Sequence, residues 1–220
     1  MLCHELRAPL GAIQNALEVL RSPTGQEPAI QERMHALIER QVRQLTRLTA
    51  GVLDVSRSAG EPMPLQREQI DLRTVITDAI ETLEWELQQR AHRLALAIPA
   101  HPVWVRGDAG RLQQVFLNLL ANAVKYTDAG GELALSVQPR DHHVEVQVRD
   151  SGIGIAPDEL PFVFDLYRRA DHSAAGNQYG LGIGLALVRT LVGLHGGHVR
   201  ASSAGVGQGS EFTVRLPLAP

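Results

Sequence analysis

The sequence predicts an α-helical hairpin that pairs with a second copy as a dimeric four-helix bundle, followed by an α/β sandwich domain. Three observations predict it: two apolar stripes at helical spacing before residue 60, a breaker-rich segment at 58–64, and interleaved helical and alternating patterns from 65 to 217. The 220 residues, 44% of them hydrophobic, suffice for one ordinary core plus a smaller module.

In the first segment Leu2, Leu6, Leu10, Ile13, Leu17 and Leu20 recur at steps of three and four, one stripe of a helix. Pro9 removes a backbone donor inside it, so a local kink is expected there. After the breakers at 21–28, a second helix is expected over 29–57, with Met34, Ile38, Leu45, Leu48, Val52 and Val55 in a near-heptad stripe and polar Gln41 in the seam. A lone hairpin cannot bury both faces. Two hairpins can, which implies a homodimer through residues 1–60.

Past the boundary, a short strand is expected near 65–70, then one helix carrying Val75, Ile76, Ala79, Ile80, Leu83 and Leu87. Short strands follow at 93–98 and 103–105. Asp108 is a good N-cap for a helix running to about Lys125. Alternation over 132–138 and 144–149 predicts a hairpin, and a helix at 184–194 with strands at 197–202 and 211–216 closes the domain.

Composition excludes several classes. A net charge of -3 offers no electrostatic footprint for nucleic acid. The single cysteine, Cys3, allows neither a disulfide framework nor a cysteine metal site, and the nine histidines show no ligand spacing such as HExxH. Apolar runs are interrupted well before 18 residues and no secretion signal is visible, so a cytoplasmic location is expected.

The residues able to carry chemistry point to a purine nucleoside triphosphate with magnesium. Asn118 and Asn122 lie four apart on one face of the helix capped by Asp108, with Lys125 three further on. Amide carbonyls ligate a hard cation and lysine meets phosphate. Asp150-Ser151-Gly152-Ile153-Gly154-Ile155 follows a strand directly, so a carboxylate stands at a pocket edge able to accept from a purine amine, although a structural turn fits the same pattern. Gly180-Leu181-Gly182-Ile183-Gly184 enters a helix whose first amides suit phosphate. It lacks the preceding strand and later acidic residue of a dinucleotide site and the Lys-Ser/Thr of a P-loop. The glycine-rich 205–210 supports the same pocket, and the small, polar stretch 168–179 reads either as a lid or as a surface loop. On the first helix, His4 on a solvent flank can act as a nucleophile with the neighbouring carboxylate of Glu5 to orient it or accept its proton, although a lone histidine by itself is more often structural.

Together these residues resemble the kinase core of a two-component sensor histidine kinase. His4-Glu5-Leu6-Arg7-Ala8-Pro9-Leu10 resembles the phosphoacceptor motif, Asn118 to Thr127 the N box, Asp150 to Ile155 the G1 box, Phe162 to Tyr167 the F box and Gly180 to Gly184 the G2 box, in matching order across nearly the whole chain. The resemblance implies a histidine kinase/Hsp90-like sandwich at 65–217 that binds ATP and Mg2+ through Asn118, Asn122, Lys125, Tyr126, Asp150, Gly152, Gly154, Gly180, Leu181, Gly182 and Gly184. Asp150 would read the adenine amine, and Asn122 with Asn118 would hold the metal. The γ-phosphoryl would pass to His4, with Glu5 as its acid or base partner, and then to an aspartate of a response regulator receiver domain.

The same resemblance implies a membrane link only through an upstream sensor part, and a first helix that normally starts well before the position of His4, so residues 1–60 read as N-terminally truncated. Ala8 stands where many bifunctional members carry threonine or asparagine, and Tyr179 where small residues are usual. Asn118 stands where related ATPases of the wider fold carry a water-activating glutamate, which fits donation to histidine and argues against a chaperone- or topoisomerase-type ATPase. The alternative is an ATP-binding, dimerising scaffold with weak or lost autophosphorylation.

Overall fold

The computed structural model describes residues 2–39, 41–42, 45, 65–166 and 182–219, and the chain divides into two compact units. In the first, α1 (Leu2–Arg21) continues through Pro9 without a break in the helix, and the Pro9 ring is buried. Its end is closed by side chains: Ser22 Oγ donates to the Val19 carbonyl (2.7 Å) and Gln26 Nε2 to that of Leu20 (3.2 Å), taking up acceptors that a helix terminus leaves unpaired. A 3-10 turn, Pro23–Gln26, reverses the chain. Gly25 is required there because any side chain would strike the Val19 carbonyl. A second helix, α2, covers 28–39, with Pro28 in its first turn where a missing amide costs nothing. The predicted continuation over 46–57 lies outside the described residues.

The second unit contains β1 (Glu68–Asp71), α3 (Leu72–Thr82), α4 (Glu84–Gln89), β2 (Arg93–Ala97), β3 (Trp104–Gly107), α5 (Ala109–Tyr126), β4 (Glu132–Pro139), β5 (His143–Asp150), α6 (Gly184–Leu194), β6 (His198–Ser202) and β7 (Ser210–Pro217). The main sheet has the order β2-β4-β5-β7-β6, with β2 parallel to β4 and the remaining pairs antiparallel. Its register aligns Leu135, Val148 and Phe212 in one row and Val137, Val146, Val214 and Val199 in the next, all buried. The alternate rows are polar, such as Ser136, Gln147, Thr213 and Arg200. One face is therefore built for burial, and the buried faces of α3, α5 and α6 supply Ile76, Phe116, Leu119, Val188 and Leu191 to the same core.

Two details differ from expectation. The helix predicted as continuous through Leu87 is broken at Leu83, whose backbone (φ -106°, ψ 3°) leaves the helical range and whose side chain is buried, while α4 buries none of its residues. The first strand begins at Glu68 and pairs only with β3, in a separate two-stranded sheet. Residues just before it are held otherwise: the Gln66 amide donates to Asp108 Oδ2 (3.1 Å) and Arg67 Nη2 to the Leu194 carbonyl (2.8 Å).

Candidate active site

The site is built upward from α5. Asp108 caps it in an extended conformation, its Oδ1 accepting from the Arg111 amide at 3.1 Å. One face, Leu112, Val115, Phe116, Leu119 and Ala123, is buried. Helical spacing then leaves Asn118, Asn122 and Lys125 half-buried on another stripe. Asn118 Nδ2 donates to the Gln114 carbonyl (2.8 Å), an acceptor that fixes the amide orientation and assigns Oδ1 to the opposite side. That oxygen faces the first residue of α6: a Cβ on Gly184 would lie 3.0 Å from it. At the end of α5, Lys125 Nζ donates to the Tyr126 hydroxyl (3.1 Å) and lies 4.6 Å from the ring centroid.

Asp150 ends β5 and is only 5% exposed. Its carboxylate accepts every bond it makes here: Oδ1 from the amides of Gly152 (2.9 Å) and Ser210 (3.3 Å), Oδ2 from Ser210 Oγ (2.5 Å). Two carboxylate oxygens offer about four acceptor positions, so capacity remains for one more donor. The following loop is stitched to both neighbours. The Ile153 amide donates to the Tyr126 carbonyl (3.0 Å), the Gly207 amide to Ile153 (2.7 Å) and the Gly209 amide to Gly152 (3.0 Å). A side chain at Gly152 would strike the Tyr126 carbonyl, and Gly154, at φ +67°, faces the Gly205 carbonyl.

The structure thus brings Asn118, Asn122, Lys125, Tyr126, Asp150, Gly152, Gly154 and Gly184 to the carboxyl half of α5 and the elements packed on it. Gly182 has φ +65°. Gly180, Leu181 and the predicted lid at 168–179 lie outside the described residues. His4 and Glu5 fall in the first turn of α1, and their side chains are outside the described residues as well. Of the F box, Phe164 is buried edge-on against Phe212, with centroids 6.2 Å apart.

Several contributors carry no motif. Ser210 holds Asp150 by both backbone and hydroxyl. Arg90 Nη1 reaches the carbonyls of Val124 (3.2 Å), Lys125 (3.4 Å) and Thr127 (3.2 Å), and His92 Nε2 lies 3.1 Å from that of Val124. These side chains satisfy the carboxyl end of α5, and the Arg90 guanidinium places positive charge at its negative pole. Only the GxGS pattern before the last strand hints at Ser210, and nothing local marks Arg90 or His92.

Residues 1–61 match the family described as His Kinase A (phospho-acceptor) domain, and residues 107–220 match the Histidine kinase-, DNA gyrase B-, and HSP90-like ATPase family. The chain belongs to the sensor histidine kinases. The kinase core is 38% identical to the sensor histidine kinase TrcS of Mycobacterium tuberculosis over 221 residues, which is 98% of this chain and 42% of that protein. It therefore spans less than half the length of that curated relative. Among solved structures, full-length ShkA in complex with AMPPNP superposes with a TM-score of 0.71 at 28% identity, covering 98% of this chain and 44% of ShkA. ThkA, solved with the response regulator protein TrrA, shares the fold at a TM-score of 0.66 and 20% identity, covering 99% of this chain and 60% of that one. Membership of the ATPase family carries ATP binding with it. Among the described residues, no helix of the kinase core is long and apolar enough to cross a membrane.

Proposed function

We propose that residues 65–217 bind Mg-ATP, that its γ-phosphoryl group passes to His4, and that an aspartate on a response regulator receiver domain then takes it. The observation that carries this reading is Asp150: a buried carboxylate, held by three donors with acceptor capacity left, beside an α5 that presents two amides and a lysine. Asp150 accepts from the exocyclic amine of adenine. Lys125 and the first amides of α6 meet phosphate oxygens. Asn122 and Asn118 are hard oxygen donors that suit magnesium, and the Asn118 amide already has its nitrogen committed to Gln114. Bound there, magnesium would offset charge on the phosphates.

In the transfer, a His4 ring nitrogen forms the N–P bond, the bond from the γ-phosphorus to the bridging oxygen breaks, and ADP leaves with that electron pair. Glu5 orients the ring or takes its proton. The hairpin, residues 1–60, dimerises: Leu10 and Leu17 on α1 are 49% and 41% exposed in the single chain, apolar surface that a bundle partner would cover. The regulator seen with ThkA supports a receiver domain as the second partner. ATP as substrate supports a cytoplasmic location.

Incubation with γ-labelled ATP and magnesium tests the proposal. Acid-labile, alkali-stable label mapping to His4 and absent from His4→Gln is the expected result. No label on a chain that demonstrably binds ATP would favour the dimerising scaffold instead.

A further inference from the structure

We propose that His195 is a positioning residue of the nucleotide site, closing the amino-terminal cap of α5 from the carboxyl end of α6 and so setting how the two helices meet. The inference rests on the reading that Asn118, Asn122 and Lys125 face the triphosphate.

A helix start leaves its N-cap amide without an intrahelical partner, and the usual local remedy is a Glu or Gln three residues on. Here that residue is Arg111, which can only donate. The Asp108 amide donates instead to His195 Nε2 at 3.0 Å, while His195 Nδ1 lies 2.8 Å from the Leu191 carbonyl. A carbonyl can only accept and the amide can only donate, so the ring is neutral with its proton on Nδ1. His195 is 6% exposed, and a side chain on neighbouring Gly107 would run into its ring.

The two helices meet at a second place, where Gly184 stands against Asn118 Oδ1. From Asp108 to Asn118 along α5 is about 15 Å, and from Gly184 to His195 along α6 about 16 Å, at 1.5 Å per residue. The spans match, so α5 and α6 form a bracket pinned by His195 at one end, with the nucleotide-facing amide at the other. Loss of the pin shifts the end that carries Asn118 and the first amides of α6. Asp150, on β5, lies outside the bracket.

Titration of Mg-ATP and, separately, adenosine into the full chain tests this. His195→Leu is expected to weaken ATP binding about tenfold, the scale of one lost buried hydrogen bond. Adenosine, read by Asp150, should bind as before. His195→Gln keeps an acceptor for the Asp108 amide and should restore ATP affinity to within about threefold. Equal losses for ATP and adenosine, an unchanged ATP affinity in His195→Leu, or no rescue by glutamine would each overturn the proposal. Should the leucine variant not fold, the imidazole nitrogen resonances of the wild-type chain still decide. A neutral ring protonated on Nδ1 and coupled to the Asp108 amide is expected; a proton on Nε2 overturns it. Failure of the wild-type chain to bind ATP would sink the nucleotide reading, and the imidazole signature, which needs no ligand, keeps the two failures apart.

Discussion

Asp150 meets three donors and no acceptor, so its chemistry is sensitive to a single atom. Asp150→Asn must turn an NH2 group toward Ser210 Oγ or toward the two amides. The serine hydroxyl can rotate to accept and the amides cannot, so the NH2 falls on the side where the carboxylate had spare capacity. Calorimetric titration should show ATP affinity falling roughly tenfold or more; unchanged affinity would remove Asp150 from the site. His195 makes a second prediction. Burial holds its pKa below the ordinary imidazole value, against the Leu191 bond and the Asp108 charge, with the Arg67 charge adding to the depression. The folded state therefore prefers the neutral ring. Its contribution is complete above about pH 6.5 and is lost as pH falls from there through the lower folded-state value. Thermal unfolding between pH 7.5 and about pH 5 should show a steeper loss for the wild-type chain than for His195→Gln.

At the scale of elements, α5 is held at its start by its own cap residue and at its carboxyl end by side chains from elsewhere. Asp108 caps its start and also accepts from the Gln66 amide, while Arg90 and His92 close its carboxyl end. Asp108→Ala removes the cap and leaves the Gln66 amide without that acceptor, so urea unfolding should report a loss of about 1–2 kcal/mol. A change within about 0.3 kcal/mol would mean that water replaces both bonds. The break at Leu83 belongs to this scale too. The apolar spacing of Val75, Ile76, Ala79, Leu83 and Leu87 is continuous, but the backbone leaves the helical range at buried Leu83, and no residue of α4 is buried.

Across the whole molecule, the second unit buries an extended core, whereas α1 leaves Leu10, Leu17 and Val19 exposed in a single chain. The kinase core should therefore sediment as a dimer at micromolar concentration. Leu10→Glu with Leu17→Glu should shift it toward monomer and lower any labelling of His4. A chain that stays monomeric across that range would remove the four-helix bundle from the account.

Much of this was legible in order along the chain. Asp108 marked the start of α5, alternation marked β4 and β5, and the helix predicted over 184–194 matches α6. The asparagines, Lys125, Asp150 and the glycines of the loop after it stood out because their residue types at those spacings suit phosphate, metal and purine. Such signals arise between residues a few positions apart, where backbone geometry alone sets which side chains share a face. What the tertiary structure decided concerns partners far apart in sequence: Ser210 on Asp150, Arg90 and His92 on the end of α5, His195 on its start, and the separate pairing of β1 with β3. Whether a buried donor finds an acceptor depends on which elements pack together, and no local pattern in the chain carries that information.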